Sequence, residues 1–263
     1  MINKFINLFI ISIFSLTFHS SVTGEEFIFE VSDLEIIEDG TIYKGNNRGK
    51  VKTNNQLQII ANKFEYQKKI NRLEAYGEVQ LTDFKNNIII DAEKIFYLKN
   101  VEKIYTLGKT LINVSDKYII EGHDLILLKN QMLLSSYNKA IITDNDSNIY
   151  KLEQFEYLIN QEILKGEKIT VTTNYKENNS DQYYFETGFF NLKEDTFLAK
   201  DINVKLHKTL FGNNQNDPRI NAVSAYGDEF NKNFDKGVFT SCKKTDKCPP
   251  WKIRAKKIHH DKV

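Results

Sequence analysis

Residues 57–66 read LQIIANKFEY, and the same arrangement returns as IIIDAEKIFY at 88–97, YIIEGHDLIL at 118–127 and NIYKLEQFEY at 148–157. Aligned on Ala61, Ala92, Gly122 and Leu152, the copies are 31, 30 and 30 residues apart. Two positions earlier stand Ile59, Ile90, Ile120 and Tyr150; three positions later stand Phe64, Ile95, Leu125 and Phe155. Five positions later stand Tyr66, Tyr97, Leu127 and Tyr157. Apolar residues at −2 and 0, then at +3 and +5, are two period-two runs joined by a slip of phase. A strand that bends at a bulge or corner, and keeps one face apolar through the bend, produces that pattern.

A second series lies between the first: LEAYGEVQL, IYTLGKTLI, LSSYNKAII and ILKGEKITV, with Gly77, Gly108, Asn138 and Gly166 at equivalent places. Glycine takes positive φ at no steric cost and asparagine is the next most tolerant residue. The series therefore predicts a left-handed turn position in each repeat. Each unit of about thirty residues reads as two strands and two turns, with no sustained 3.6-residue period anywhere after the first 24 residues. Self-similarity at a fixed period means stacked units that share one continuous core. Abundant Val, Ile, Phe, Tyr and Thr with only three prolines make the units β. The expected object is all-β, elongated and twisted, with open edges at its ends that a partner or another domain must cover.

The ends of the chain read differently. MINKFINLFIISIFSLTFHSSVTG has a basic start at Lys4, an apolar run over Phe5–Phe18 and small residues at Val22 and Gly24, the form of a secretory leader over 1–24. Asn7, Ser12 and Ser15 interrupt a run already short for a membrane span; a retained anchor is the alternative. Residues 25–212 hold the repeats, which become degenerate from about 180. Residues 213–263 read as turns around one short strand, followed by a segment with the only two cysteines, Cys242 and Cys248, and the only tryptophan, Trp251. A formal charge of +1 gives no footprint for nucleic acid.

The residues also carry a resemblance. Repeats in which ANKFEY or AEKIFY is followed by a Y-G-E-V or L-G-K-T element resemble the OstA family of periplasmic β-jellyroll proteins of lipopolysaccharide transport. The tail DKGVFTSCKKTDKCPPWKIRAKKIHHDKV resembles the junction of the outer-membrane assembly proteins of the LptD type, where an aromatic-Thr-x-Cys element leads into a Trp-containing strand. In that family a large membrane barrel follows. These 263 residues hold no barrel, so the resemblance implies a fragment, a split gene or a short form, and EEFIFEVSDLEI lacks the cysteine that many relatives carry there. The LptA-like bridge proteins have such repeats without the cysteine–tryptophan junction.

The resemblance implies an exported protein at the periplasmic face of the outer membrane that carries lipid and catalyses nothing. Its partners would be lipopolysaccharide, an LptA-like bridge joined by edge-strand pairing, and an outer-membrane barrel with its LptE-like lipoprotein. Leaving one twelve-carbon acyl chain in water costs on the order of 10 kcal/mol, at about 0.8 kcal/mol per methylene, so a continuous apolar trough is what such a path needs. Candidate lining residues are Ile59, Ala61, Phe64 and Tyr66 in the first repeat, and Ile90, Ala92, Ile95 and Tyr97 in the second. Ile120, Gly122, Leu125, Leu127, Phe155 and Tyr157 extend the set; plain core packing accounts for the same positions. The small residues Ala61, Ala92 and Gly122 leave width for acyl chains.

Cys242 and Cys248 either bond each other or, as the family suggests, bond cysteines elsewhere. A zinc site with His259 and His260 does not fit their spacing or an oxidising compartment. No cofactor is implied. Trp251, Ile253 and Ala255 alternate with Lys252, Arg254 and Lys256, as in a half-buried strand with one basic face suited to phosphates or an acidic partner. A glycan-cleaving solenoid would need carboxylates in register; Asp91 and Glu121 match, but Ile60 and Lys151 hold the same position. A bridge of LptA type, or a scaffold that binds no lipid, are the other readings.

Overall fold

The computed structural model describes residues 27–54, 56–176, 180–212, 215–228, 230–245 and 250–261; the leader expected over 1–24 lies outside them. The chain passes back and forth in strands that bend halfway. β1 (Ile28–Glu30) and β2 (Asp33–Ile37), β3 (Ile42–Asn46) and β4 (Gly49–Lys52), and β5 (Leu57–Ala61) and β6 (Lys63–Gln67) are the halves of three passes. β7 (Arg72–Asp83), β8 (Ile88–Leu98) and β9 (Lys103–Val114) run through the bend without a break. The next three passes break again, as β10 (Tyr118–His123) with β11 (Ile126–Leu128), β12 (Leu133–Ser136) with β13 (Ala140–Asp144), and β14 (Ile149–Leu152) with β15 (Gln154–Leu158). β16 (Ile163–Thr172), β17 (Gln182–Asn191), β18 (Thr196–Lys205), β19 (Arg219–Gly227), β20 (Asn231–Thr240) and β21 (Ile253–Asp261) are continuous. Every pairing named below is antiparallel, and the only helical pieces among the described residues are short 3-10 turns.

The bend is the phase slip read from the repeat. Ladder register shifts between Tyr76 and Val79 in β7 and between Ala92 and Lys94 in β8. Asn62, Asp124 and Glu153 stand at the corresponding breaks. Inward residues therefore change parity at each bend, and one apolar face survives on both sides of it. Left of the corner lie halves such as β5, β10, β13 and β14; right of it lie β6, β11, β12 and β15.

The pairing also closes on itself. β9 pairs β10 through its C-terminal half and β11 through its N-terminal half. The ladders β10–β13–β14 and β11–β12–β15 then run separately and rejoin on the two halves of β16. Eight strands thus form a closed ring, with β1–β8 stacked outward on one side and β17–β21 on the other. One core cluster runs through all of it, from Phe27 to Phe234. Each Ile, Leu or Phe removed from water there contributes about 1.5–3 kcal/mol.

Two expectations need correction. The glycine series does not mark turns between strands: Gly77 and Gly108 do have positive φ, +72° and +79°, but they sit at the bends inside β7 and β9. Asn138 and Gly166 are not left-handed. Gly166 is small because a Cβ there would stand 2.4 Å from Leu152 Cδ2. The reversals at one rim instead place Asn71, Glu102, Met132 and Glu162 in the left-handed region, again at thirty-residue spacing. The stretch after 212 is no single short strand either. β19 and β20 are long strands that continue the same sheet, each hydrogen-bonded to its neighbour over most of its length.

Candidate functional site

The bent passes give the molecule a fold line at the corners and two rims where the strands reverse. The candidate lining residues all lie between the rims, on the inner face. Ile59, Ala61, Ile90, Ile95, Tyr97, Ile120, Leu125 and Tyr157 are at most 1% exposed, and Phe64, Tyr66, Leu127 and Phe155 are buried with them. Gly122 is buried too, and Ala92 is half-buried against the same cluster. The structure thus gathers the whole predicted set into one apolar interior. In these repeats its side chains touch one another across it, as the edge-on rings of Tyr118 and Tyr157 do at 5.8 Å.

Polar side chains close the seam between the rims over the middle of the molecule. Lys129 Nζ reaches Asp83 Oδ2 at 3.2 Å and Glu102 Oε2 at 3.9 Å, with Lys129 9% and Asp83 1% exposed. Lys117 Nζ reaches Glu162 Oε1 at 2.8 Å, and Tyr118 Oη donates to the other Glu162 oxygen at 3.2 Å. Lys129 and Asp83, and Lys117 and Tyr118 with Glu162, sit at reversals of opposite rims, so each of these contacts is a clasp, while Glu102 flanks Lys129 on its own rim. Burial alone would raise the Glu102 carboxyl, but hydrogen bonds from Lys99 and Tyr97 and the charges of Lys99 and Lys129 outweigh it and hold the group below its ordinary 4.5.

Toward the C-terminal strands the seam opens. A cleft of about 380 Å³ separates the reversals after β13 and β16 on one rim from those after β17 and β19 on the other. Its floor is Tyr150, Val171, Tyr183, Phe185, Phe190 and Phe197, all members of the core cluster or packed on it. Its rim carries Asp146, Asp195 and Asp228 beside Lys232. Phe190 meets Tyr150 and Phe185 edge-on at 6.0 Å and 5.7 Å. Burial and the nearby Asp144 carboxylate push the Tyr150 hydroxyl far up, so it stays a neutral donor, here to Asp144 Oδ2 at 3.3 Å. The cleft has an aromatic floor under walls of Asp, Asn and Thr side chains, and it is of the size that takes small ligands.

The repeat reading missed this mouth. Of its residues it placed only Tyr150, as a repeat position, because the degenerate repeats after 180 hide the alternation of YYFETGFF. Sequence reading also took the tyrosines as plain lining. Their hydroxyls reach the rim: Tyr66 Oη donates to Asn71 Oδ1 at 2.9 Å and Tyr97 Oη to Glu102 Oε2 at 2.6 Å. Each acceptor is the left-handed residue five positions on, and where Leu127 replaces the tyrosine, Met132 replaces the acceptor.

At the tail, Trp251 and Cys242 come together. Thr240 Oγ1 donates to the Trp251 carbonyl at 2.8 Å, and Cys242 Sγ lies 3.6 Å from the same oxygen. Cys248 lies outside the described residues, and so does any pairing it makes. The strand beyond is less covered than a half-buried one: Trp251 is 44% and Ile253 54% exposed, because among the described residues β21 pairs only with β20. Ala255 is half-buried, and Ile258 packs against the core cluster. His259 approaches Asn233 Oδ1 at 3.3 Å, and no cluster of metal-ligating side chains occurs among the described residues. Asp91, singled out for enzymatic chemistry, accepts from Gln80 Nε2 at 2.9 Å.

No protein-family model matches this chain, and no curated protein matches it. No helix among the described residues is long and apolar enough to cross a membrane.

Proposed function

We propose that this chain is an exported, OstA-like β-jellyroll that carries the acyl chains of lipopolysaccharide toward the outer membrane. The observation that supports this is an apolar interior continuous through every repeat and reached by a cleft between the rims, whose floor includes Phe185 and Phe190. The clasped seam keeps water out of the middle, and the open cleft gives an acyl chain somewhere to enter. Transfer of each methylene from water into such a floor is favourable by about 0.8 kcal/mol. Three carboxylates to one ammonium at the mouth repel phosphate, so acyl chains enter while a phosphorylated head group stays outside. In this reading the exposed outer strands at the two ends of the sheet are where an LptA-like bridge and an outer-membrane barrel with its lipoprotein attach. The chain carries no reaction of its own.

The test is photo-crosslinking in cells that make lipopolysaccharide. A crosslinking residue at Phe185, Phe190, Ile95 or Leu125 is expected to yield lipid adducts, and one at the outward Tyr184, Lys94 or Asp124 is not. Adducts at neither set, from a folded and exported protein, would leave the interior as core packing and remove the carrier reading.

A further inference from the structure

On the opposite, outer face of the sheet a groove of about 480 Å³ crosses β12, β15, β16, β17 and β18, which spans four strand spacings or about 19 Å. Its origin is an inward row of small residues. Gly166 pairs with Gly188, and Gly188 with Ala199. A Cβ on Gly188 would stand 2.6 Å from Phe190 Cε2 and 2.8 Å from Ile169 Cδ1, so only a residue without a side chain lets the backbone sink this far toward the core. The sunken backbone becomes the floor of a depression on the other side. Outward neighbours form its walls: Tyr137, 81% exposed, at one end, and Phe189 and Leu198, 38% and 56% exposed and paired across β17 and β18, at the other.

The polar groups along this groove are of both kinds and stand unpaired. Gln154 and Glu167 face each other in register, as do Glu156 and Lys165, and Thr187 faces Lys200. Among the described residues none of these pairs is closed by a hydrogen bond or ion pair. Occupants can be separated by what they would do to these groups. An acyl chain would strip water from four charges and return nothing. Nucleic acid needs net positive charge, and two carboxylates cancel two ammonium groups. A protein interface needs about 1,000 Å² or more with a dry core, and this depression is narrow and ringed by charge. A chain of pyranose rings fits: its C–H faces lie on aromatic rings, whose faces are negative, while its hydroxyls are donors and acceptors at once and meet amide, hydroxyl, carboxylate and ammonium alike.

We infer that this outer groove is an oligosaccharide-binding site, with Tyr137 and Phe189 as stacking platforms and Gln154, Glu167, Thr187 and Lys200 as hydrogen-bonding partners. It is distinct from the interior, so it stands whether or not the chain carries lipid. The experiment is binding of the purified full chain to an array of neutral, acidic and amino-sugar oligosaccharides of two to six pyranose rings, followed by calorimetric titration of the best free sugar. The expected result is a saturable site, weakened at least tenfold in Phe189→Ala and in Glu167→Gln and unchanged in Tyr184→Ala on the other arm of the sheet. Phe189 and Glu167 are exposed, so both variants keep the fold, which circular dichroism checks. No sugar bound by the full chain, or a sugar bound equally by Phe189→Ala and Glu167→Gln, overturns the site.

Discussion

Tyr97 and Tyr157 occupy the same place in the second and fourth repeats, yet their hydroxyls meet different fates. Tyr97 Oη donates to Glu102, whereas Glu162, the equivalent acceptor for Tyr157, is taken by Lys117 and Tyr118, and Tyr157 Oη is buried without a hydrogen-bond partner among the described residues. Removing a satisfied donor costs about 1 kcal/mol, whereas removing an unsatisfied buried one relieves a desolvation penalty of similar size. Tyr97→Phe is therefore expected to lower the urea-unfolding free energy and Tyr157→Phe to raise it, each by about 1 kcal/mol. Equal losses in both would refute the distinction. Gly188 and Gly122 form a second contrast. A Cβ at Gly188 meets an aromatic ring edge at 2.6 Å, while at Gly122 it meets the flexible end of Leu125 at 3.1 Å. Gly188→Ala is expected to destabilise by about 2 kcal/mol through overpacking, and Gly122→Ala by clearly less, in the same urea assay. Gly122 is a position of the repeat, whereas Gly188 lies in the degenerate stretch after 180 and did not stand out, because one of the side chains it must avoid, Ile169, comes from the neighbouring strand.

The clasps belong to the scale of elements, since each joins reversals of two passes far apart along the chain. Lys129→Met leaves Asp83 with its buried charge unopposed by an ammonium, and the loss expected is about 3 kcal/mol in urea unfolding. The same elements set the acid response. Glu102 and Glu74 both lie below their ordinary 4.5. For Glu74, burial acts upward and is overcome by hydrogen bonds from Tyr76 and Lys94 and by the charges of Lys94 and Arg72. A folded value below the unfolded one means stability that is present above the unfolded value and lost as pH falls through the folded one. The urea midpoint is expected to hold down to about pH 4.5 and then drop, with a shallower drop in Glu102→Gln. A midpoint that stays level to about pH 3 would show that these carboxylates gain nothing on folding. None of these partners was visible in the repeat. Lys129 and Asp83 are 46 positions apart, and only the antiparallel return of the chain faces one rim with the other.

For the whole molecule, the stack ends where pairing ends. β21 covers one side of β20, whose Phe234 is 1% exposed. A chain ending at Ser241 would present β20 as an open edge and is expected to elute at a larger apparent size than the full chain in gel filtration. The same elution for both would mean that β21 adds no protection. The thirty-residue period, the slip of phase within it and the alternation of apolar side chains were enough to determine an all-β stack of bent strands and to name which side chains turn inward, because parity along a strand is a local property. Sequence alone did not decide which part of the inward face is packed and which is open. That depends on the distance between two rims, which is set by charged and tyrosine side chains meeting across the seam. Nor did it decide that two glycines and an alanine in three different strands lie side by side and dent the outer face. Both are products of register between distant segments, and register is settled only when the strands pair.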